Sequence, residues 1–152
     1  MKTRRKVLAH GAQLAGLLAT AGLVPQMAMA AWSKEAFDAK TLADAVKGLG
    51  GGAPALSKDV TLTGPDIAEN GAVVPVGAAC SLPGVKRLAI MVEKNPSALA
   101  AVFDVTDAVE PNITTRVKMG QSSNVYAVAM TGDGKVLFAQ KEVKVTLGGC
   151  GG

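Results

Sequence analysis

The chain has 152 residues, a formal net charge of +4 from 16 basic and 12 acidic side chains, and only one tryptophan, one tyrosine and three phenylalanines. Four of the basic residues, Lys2, Arg4, Arg5 and Lys6, fall in an acid-free opening segment, so the remainder balances at 12 and 12 and offers no electrostatic footprint for nucleic acid. The single histidine, His10, lies in that same segment, and without it Ser-His-Asp or Cys-His catalysis, histidine-built zinc sites and C-x-x-C-H haem attachment all lack a necessary part.

Residues 1–30 read as an export signal, with a basic start, an apolar middle from Ala12 to Val24, and small residues Ala28 and Ala30 at an A-x-A cleavage site. The apolar stretch is shorter than the roughly 20 residues a membrane-spanning helix needs. Arg4 and Arg5 are adjacent where a twin-arginine signal carries its pair, with Val7 in a place more often held by phenylalanine. That route passes folded cargo, so a partner without its own signal can cross as a passenger. The expectation is a periplasmic mature chain with no membrane span, one domain over residues 31–147 and a short arm over 148–152. Such a domain holds a single core and is small enough to lean on a partner.

Ser33 is placed to cap a helix running to about Leu49, with Leu42, Val46 and Leu49 recurring at i, i+4 and i+7 and Gly50, Gly51 and Gly52 ending it. After it the pattern is strand and turn. About seven valine-rich strands are predicted, in KDVTLTG, GAVVPVGAAC, VKRLAIMVEK, ALAAVFDV, NITTRVKM, NVYAVAMT and KVLFAQKEVKVTL. Asn70-Gly71 and Asp133-Gly134 are tight-turn pairs, the second between two apolar runs as a hairpin requires. Pro75 predicts an edge or a bulge. Seven short strands without interposed helices predict a mainly β protein, an immunoglobulin-like sandwich with an N-terminal helix and a flexible C-terminal arm.

Two strands are apolar on both faces. Leu88, Ile90 and Val92 oppose Ala89 and Met91, while Tyr126, Val128 and Met130 oppose Val125, Ala127 and Ala129. Either a helix or loop of the chain covers the second face, or a permanent partner subunit does.

Cys80 ends an apolar strand, where a small buried hydrophobe is the default role. Cys150 stands instead between Gly148-Gly149 and Gly151-Gly152, with no bulky neighbour to pack it. A Cys80–Cys150 disulfide is one reading for an exported protein, although a staple gains nothing from glycines on both sides. The other is a reachable thiol: glycines carry no side chain, so such an arm can enter a channel that excludes an ordinary peptide. No cation, histidine or helix N-terminus adjoins Cys150 in sequence to form its thiolate, so activation must come from whatever receives the arm.

The chain resembles the SoxY sulfur-carrier family of periplasmic thiosulfate oxidation, in its twin-arginine-like signal, AFDAKTLADAVKGLGG, PDIAENGAVVPVGA, LAIMVEKNPSALAAVFDV and above all the terminal GGCGG. The resemblance implies an immunoglobulin-like sandwich bound to a SoxZ subunit, with Cys150 bearing the sulfur and Gly148, Gly149, Gly151 and Gly152 forming the arm. It implies no catalytic, cofactor-binding or metal-binding residue, the passenger being sulfur held covalently on Cys150. A haem-containing enzyme would join thiosulfate to the thiol, a hydrolase would release sulfate, and a sulfur dehydrogenase, where present, would oxidise the remaining sulfur. The rival readings are a structural or interaction module whose tail cysteine forms an intermolecular disulfide, and, more weakly, a carboxylate-based enzyme.

Overall fold

The computed structural model describes residues 33–149. The expected export signal, and Cys150, Gly151 and Gly152 of the expected arm, lie outside the described residues.

The predicted single helix is two: α1 (Lys34–Asp38) and α2 (Leu42–Gly48). Ala39 leaves the helical region at φ −64°, ψ 143°, and Thr41 restarts it by accepting the Asp44 N–H on its side chain at 3.1 Å. A capping residue inside a helical pattern is a competing start signal, and here it wins. Ser33 Oγ accepts the Ala36 N–H at 3.2 Å and donates to the Gly48 carbonyl at 2.8 Å, fastening the start of α1 to the end of α2. A Cβ on Gly48 would stand 2.8 Å from Ala36 Cα, so glycine permits the two helices to touch. Gly50, at φ +82°, ends α2 in the left-handed conformation, and the Gly51 N–H returns to the Val46 carbonyl at 2.9 Å.

All seven predicted strands form, and two short ones join them. They are β1 (Pro54–Leu56), β2 (Val60–Thr63), β3 (Ile67–Ala68), β4 (Val74–Cys80), β5 (Val85–Val92), β6 (Leu99–Asp104), β7 (Asn112–Val117), β8 (Ser123–Thr131) and β9 (Val136–Val145). The larger sheet runs β1-β9-β8-β5-β6, with β3 also paired to β9; the smaller runs β2-β4-β7. β1 and β3 lie parallel to opposite ends of β9, and between them the chain crosses to the smaller sheet as β2. The other pairs are antiparallel, so the two sheets close on each other as an immunoglobulin-like sandwich. Pro75 sits on β4 beyond the last β2 partner, where one side of the strand has no neighbour to which an N–H would be owed.

There are two cores. Leu88, Ile90 and Val92 of β5 and Val125, Ala127 and Ala129 of β8 meet Val74, Val76 and Ala78 of β4 between the sheets. On the far side of the larger sheet, Ala89, Met91 and Val128 pack with Ala36, Ala45 and Val46 of the helices. The second apolar face is thus covered by the chain's own helical hairpin, and it no longer argues for a partner subunit. Among the described residues no helix is long and apolar enough to cross a membrane.

Candidate functional site at the exit of the last strand

β8 and β9 pair from Met130↔Val136 at their hairpin to Ser123↔Val143 at the other end, which separates the hairpin from the exit of β9 by about 30 Å. The exit is held by residues 64–72 and 118–123, with Asn95 bracing the second segment. The Lys141 ammonium sits 2.8 Å from the Asp66 carboxylate and donates to the Gly64 carbonyl at 2.7 Å, drawing the approach to β3 onto β9. Lys141, by hydrogen bond and charge, holds the Asp66 carboxyl below its ordinary pKa. Ser122 Oγ accepts the Val145 N–H at 2.9 Å as the strand ends, and the Thr146 N–H then bonds to the Ala68 carbonyl at 3.1 Å.

Beyond Thr146 the chain enters a clasp made of backbone alone. The Gly71 N–H donates to the Leu147 carbonyl at 2.7 Å, the Met119 N–H to the Gly71 carbonyl at 2.7 Å, and the Gly149 N–H to the Met119 carbonyl at 3.1 Å. Met119 is fully buried in the inter-sheet core, so the hub of the clasp is anchored from below. Asn95 braces the outer turn, donating to the Lys118 carbonyl at 2.7 Å and accepting the Gly120 N–H at 3.3 Å.

These contacts change the reason for the glycines. Gly148 and Gly149 were expected in a flexible arm; in the structure Gly149 is buried and hydrogen-bonded to the Met119 carbonyl, while Gly148 is exposed beside the Gly120 carbonyl. A Cβ on Gly149 would stand 2.8 Å from Ala72 Cα, and one on Gly148 would collide with the Gly120 carbonyl. A Cβ on Gly71 would collide with the Met119 carbonyl and lie 2.9 Å from the Gly149 nitrogen. None of the three has positive φ. Their missing side chains allow three backbones to approach, rather than permitting an unusual conformation. Gly151 and Gly152 lie outside the described residues, as does Cys150, which follows Gly149 directly.

Cys80 is where the sequence placed it, buried at 7% exposure in the inter-sheet core, its N–H donating to the Pro111 carbonyl at 3.0 Å. It ends β4, whereas Gly149 lies against Ala72, just before β4 begins. The length of β4, about 20 Å at strand rise, therefore separates Cys80 from the exit. Cys80 is a free thiol in the structure.

A cleft of about 280 Å³ lies between Thr63–Pro65 and Pro75–Gly77, and larger ones lie at the other end of the sandwich. Three, of about 420, 450 and 470 Å³, surround Leu82 and Pro83 beside the β8–β9 hairpin and the 105–112 loop. None reaches the exit of β9. Among the described residues no three His, Cys, Asp or Glu side chains gather to hold a metal ion.

The clasp residues Gly71, Met119, Asn95 and Ser122 were not found by sequence reasoning. Asn70-Gly71 did signal a turn, and Asn70 Oδ1 accepts the Ala72 N–H at 2.9 Å as such a turn requires. Its use as a seat for the terminus has no local signal.

Fold and exit together define a class: an immunoglobulin-like sandwich whose last strand runs into a backbone clasp, with Cys150 next in sequence. The model of the sulfur oxidation protein SoxY family matches residues 46–150, and the chain belongs to that family. It is similar to the sulfur carrier protein SoxY from Chlorobium limicola f thiosulfatophilum, at 36% identity over 67% of this chain and 92% of that one, with a TM-score of 0.60. Two variants of the superoxide reductase (neelaredoxin) of Ignicoccus hospitalis share the fold alone. Their identities are 18% and 17% and their TM-scores 0.51 and 0.50, each over 57% of this chain and 78% of the other. No curated protein sequence matches the chain.

Proposed function

We propose that the chain is a sulfur carrier of a thiosulfate-oxidising Sox system and that sulfur is held on Cys150. One observation carries this reading: Gly149 is fixed at the rim of the sandwich by the Met119 carbonyl and the Ala72 backbone, so the next residue, Cys150, issues from a defined place. Family membership and the likeness to a protein described as a sulfur carrier support the same role.

The chemistry needs only a thiol. Joining thiosulfate to Cys150 forms an S–S bond and releases the thiol proton and two electrons, which the haem-containing partner takes up. Water then cleaves the bond to the outer sulfone, sulfate leaves, and a persulfide stays on Cys150. Where a sulfur dehydrogenase is available, the persulfide sulfur is oxidised in place to a sulfonate and hydrolysed off in turn. On this reading the chain is the substrate of its partners rather than an enzyme, which a mature sequence without histidine supports. The adjacent Arg4 and Arg5 support export to the periplasm by the twin-arginine route, with a SoxZ subunit as passenger.

Intact-protein mass spectrometry after incubation with thiosulfate and the purified partner enzymes tests this. Thiosulfonate and persulfide adducts are expected on the wild-type chain and not on Cys150→Ser. Disulfide-linked dimers as the only product would sink the carrier and favour an interaction module.

A further inference from the structure

Four asparagines lie in the chain, and the residue after each one sorts them by reactivity. Asn95 precedes Pro96, which has no N–H, while Asn112 and Asn124 stand in β7 and β8 before Ile113 and Val125, whose branched side chains crowd the next peptide nitrogen. Asn70 precedes Gly71, which has no side chain to screen its nitrogen. Asn70 is also exposed, and its Oδ1 accepts the Ala72 N–H at 2.9 Å. That bond folds the carboxamide back along the peptide that follows it, which brings the Asn70 Cγ towards the Gly71 nitrogen.

The proton on that nitrogen is held by the far end of the chain. The Gly71 N–H donates to the Leu147 carbonyl at 2.7 Å, and no strand pairing supports the bond on its outer side, since β9 ends at Val145. Bonds at such an end open at a lower free energy than those inside a sheet. When residues 147–149 leave the sandwich, the Gly71 amide is released to solvent beside an electrophilic carbon already turned towards it. Asp133-Gly134 is the contrasting pair. Its carboxylate is ion-paired to Lys135 at 2.8 Å, and the Gly134 N–H stays within the hairpin on the Thr131 carbonyl at 3.1 Å.

We propose that Asn70-Gly71 is a site of spontaneous backbone modification, open when residues 147–149 leave the sandwich and closed while the Leu147 carbonyl holds the Gly71 amide. The Gly71 nitrogen loses its proton and bonds to the Asn70 Cγ. The Cγ–Nδ2 bond breaks and its nitrogen takes up a proton, so ammonia leaves and a cyclic succinimide remains. Water then opens the ring at either carbonyl, giving aspartate or isoaspartate; the net change is OH for NH2, with no oxidant or reductant involved. Isoaspartate puts one more carbon into the main chain between Asn70 and Gly71, which displaces the Gly71 groups that hold Leu147 and Met119. The product is therefore a lasting record of the time the terminus has spent away from the sandwich.

The test follows the full mature chain over days in mildly alkaline buffer, with peptide mapping by mass spectrometry for the gain of OH over NH2 and isoaspartyl methyltransferase labelling to count isoaspartate. In strong urea the conversion is expected at Asn70 and at no other asparagine. In native buffer it should be slower by about tenfold or more, because it waits on local opening. Gly149→Ile, whose Cβ meets Ala72, should bring the native rate towards the urea rate. Ser122→Ala removes the acceptor of the Val145 N–H without adding an atom and should raise the rate by a smaller factor, which decides the question should Gly149→Ile fail to fold. The unfolding midpoint of each variant shows whether it is native. A native rate equal to that in urea would overturn the proposal, as would a rate that no folded variant raises. Conversion absent from Asn70 in urea, or centred on Asn112, Asn124 or Asp133, would overturn the site itself.

Discussion

The two ends of the sandwich use glycine for opposite reasons. At the hairpin end, Gly84 (φ +75°) and Gly134 (φ +88°) turn the chain through the left-handed region, and a Cβ on either would meet nothing within 4 Å. At the exit end, Gly71, Gly148 and Gly149 have ordinary φ and no room for a Cβ at all. Two of the clefts are lined by Gly84, whereas the candidate chemistry follows the second kind of glycine. Loops that turn in open space leave hollows between them, whereas backbones in contact leave none. None of these clefts is lined by a residue of the clasp.

The largest effect that would sharpen this contrast is expected from the two cysteines, one at each end. Cys150→Ser should abolish sulfur loading, while Cys80→Ala should load normally and lose about 1–2 kcal/mol of stability in chemical denaturation, the order of a small core truncation. Loading that survives Cys150→Ser would move the function away from the exit. Next, Gly71→Ala should cost about 1–3 kcal/mol, since the added carbon must push the Met119 carbonyl aside. It should also speed hydrogen exchange at the Gly149 and Met119 amides, whose bonds form the clasp. Gly149→Ile, which in a free arm would disturb only passage into a channel, should give the same exchange signature because its Cβ meets Ala72. A native exchange pattern in either variant would mean that the terminus is not seated. At the other end, Gly134→Ala should cost about 1 kcal/mol through backbone strain alone and leave those amides protected.

The smallest effect concerns acid. Lys135 and Thr131 hold the Asp133 carboxyl at about 2, against 3.8 ordinarily. Its pKa is depressed in the folded state, so the stabilisation is complete above about pH 4 and disappears as pH falls through the folded value. The gap in thermal midpoint between wild type and Asp133→Asn should therefore be small near pH 6 and close towards pH 2. A gap that widens with acid would contradict the assignment.

Strands were legible because valine-rich runs between turn residues carry their own signal, and each of the seven runs became a strand. β1 and β3 were missed because three and two residues have no measurable alternation; they are strands only because β9 offers an edge to pair with. The helix was legible as helix but not as a hairpin. Its break depends on Gly48 meeting Ala36 and on Thr41 capping, and the choice between one helix and two is settled by the sheet that the pair covers. The doubly apolar strands were correctly noticed and left with two explanations, since periodicity reports that a face is covered but not by what.

The candidate site divides in the same way. GGCGG marks Cys150 by composition alone, because glycines give a thiol no packing partners and the chain after residue 30 has no histidine. The balanced charge of residues 31–152 and the run of short strands that a sandwich needs are likewise properties of the sequence. That Gly149 is buried and hydrogen-bonded was decided only by tertiary structure. Its neighbours Gly71 and Met119 lie 78 and 30 residues before Gly149, and backbone hydrogen bonds leave no mark on the identity of the residues that make them, except where a side chain would have been in the way.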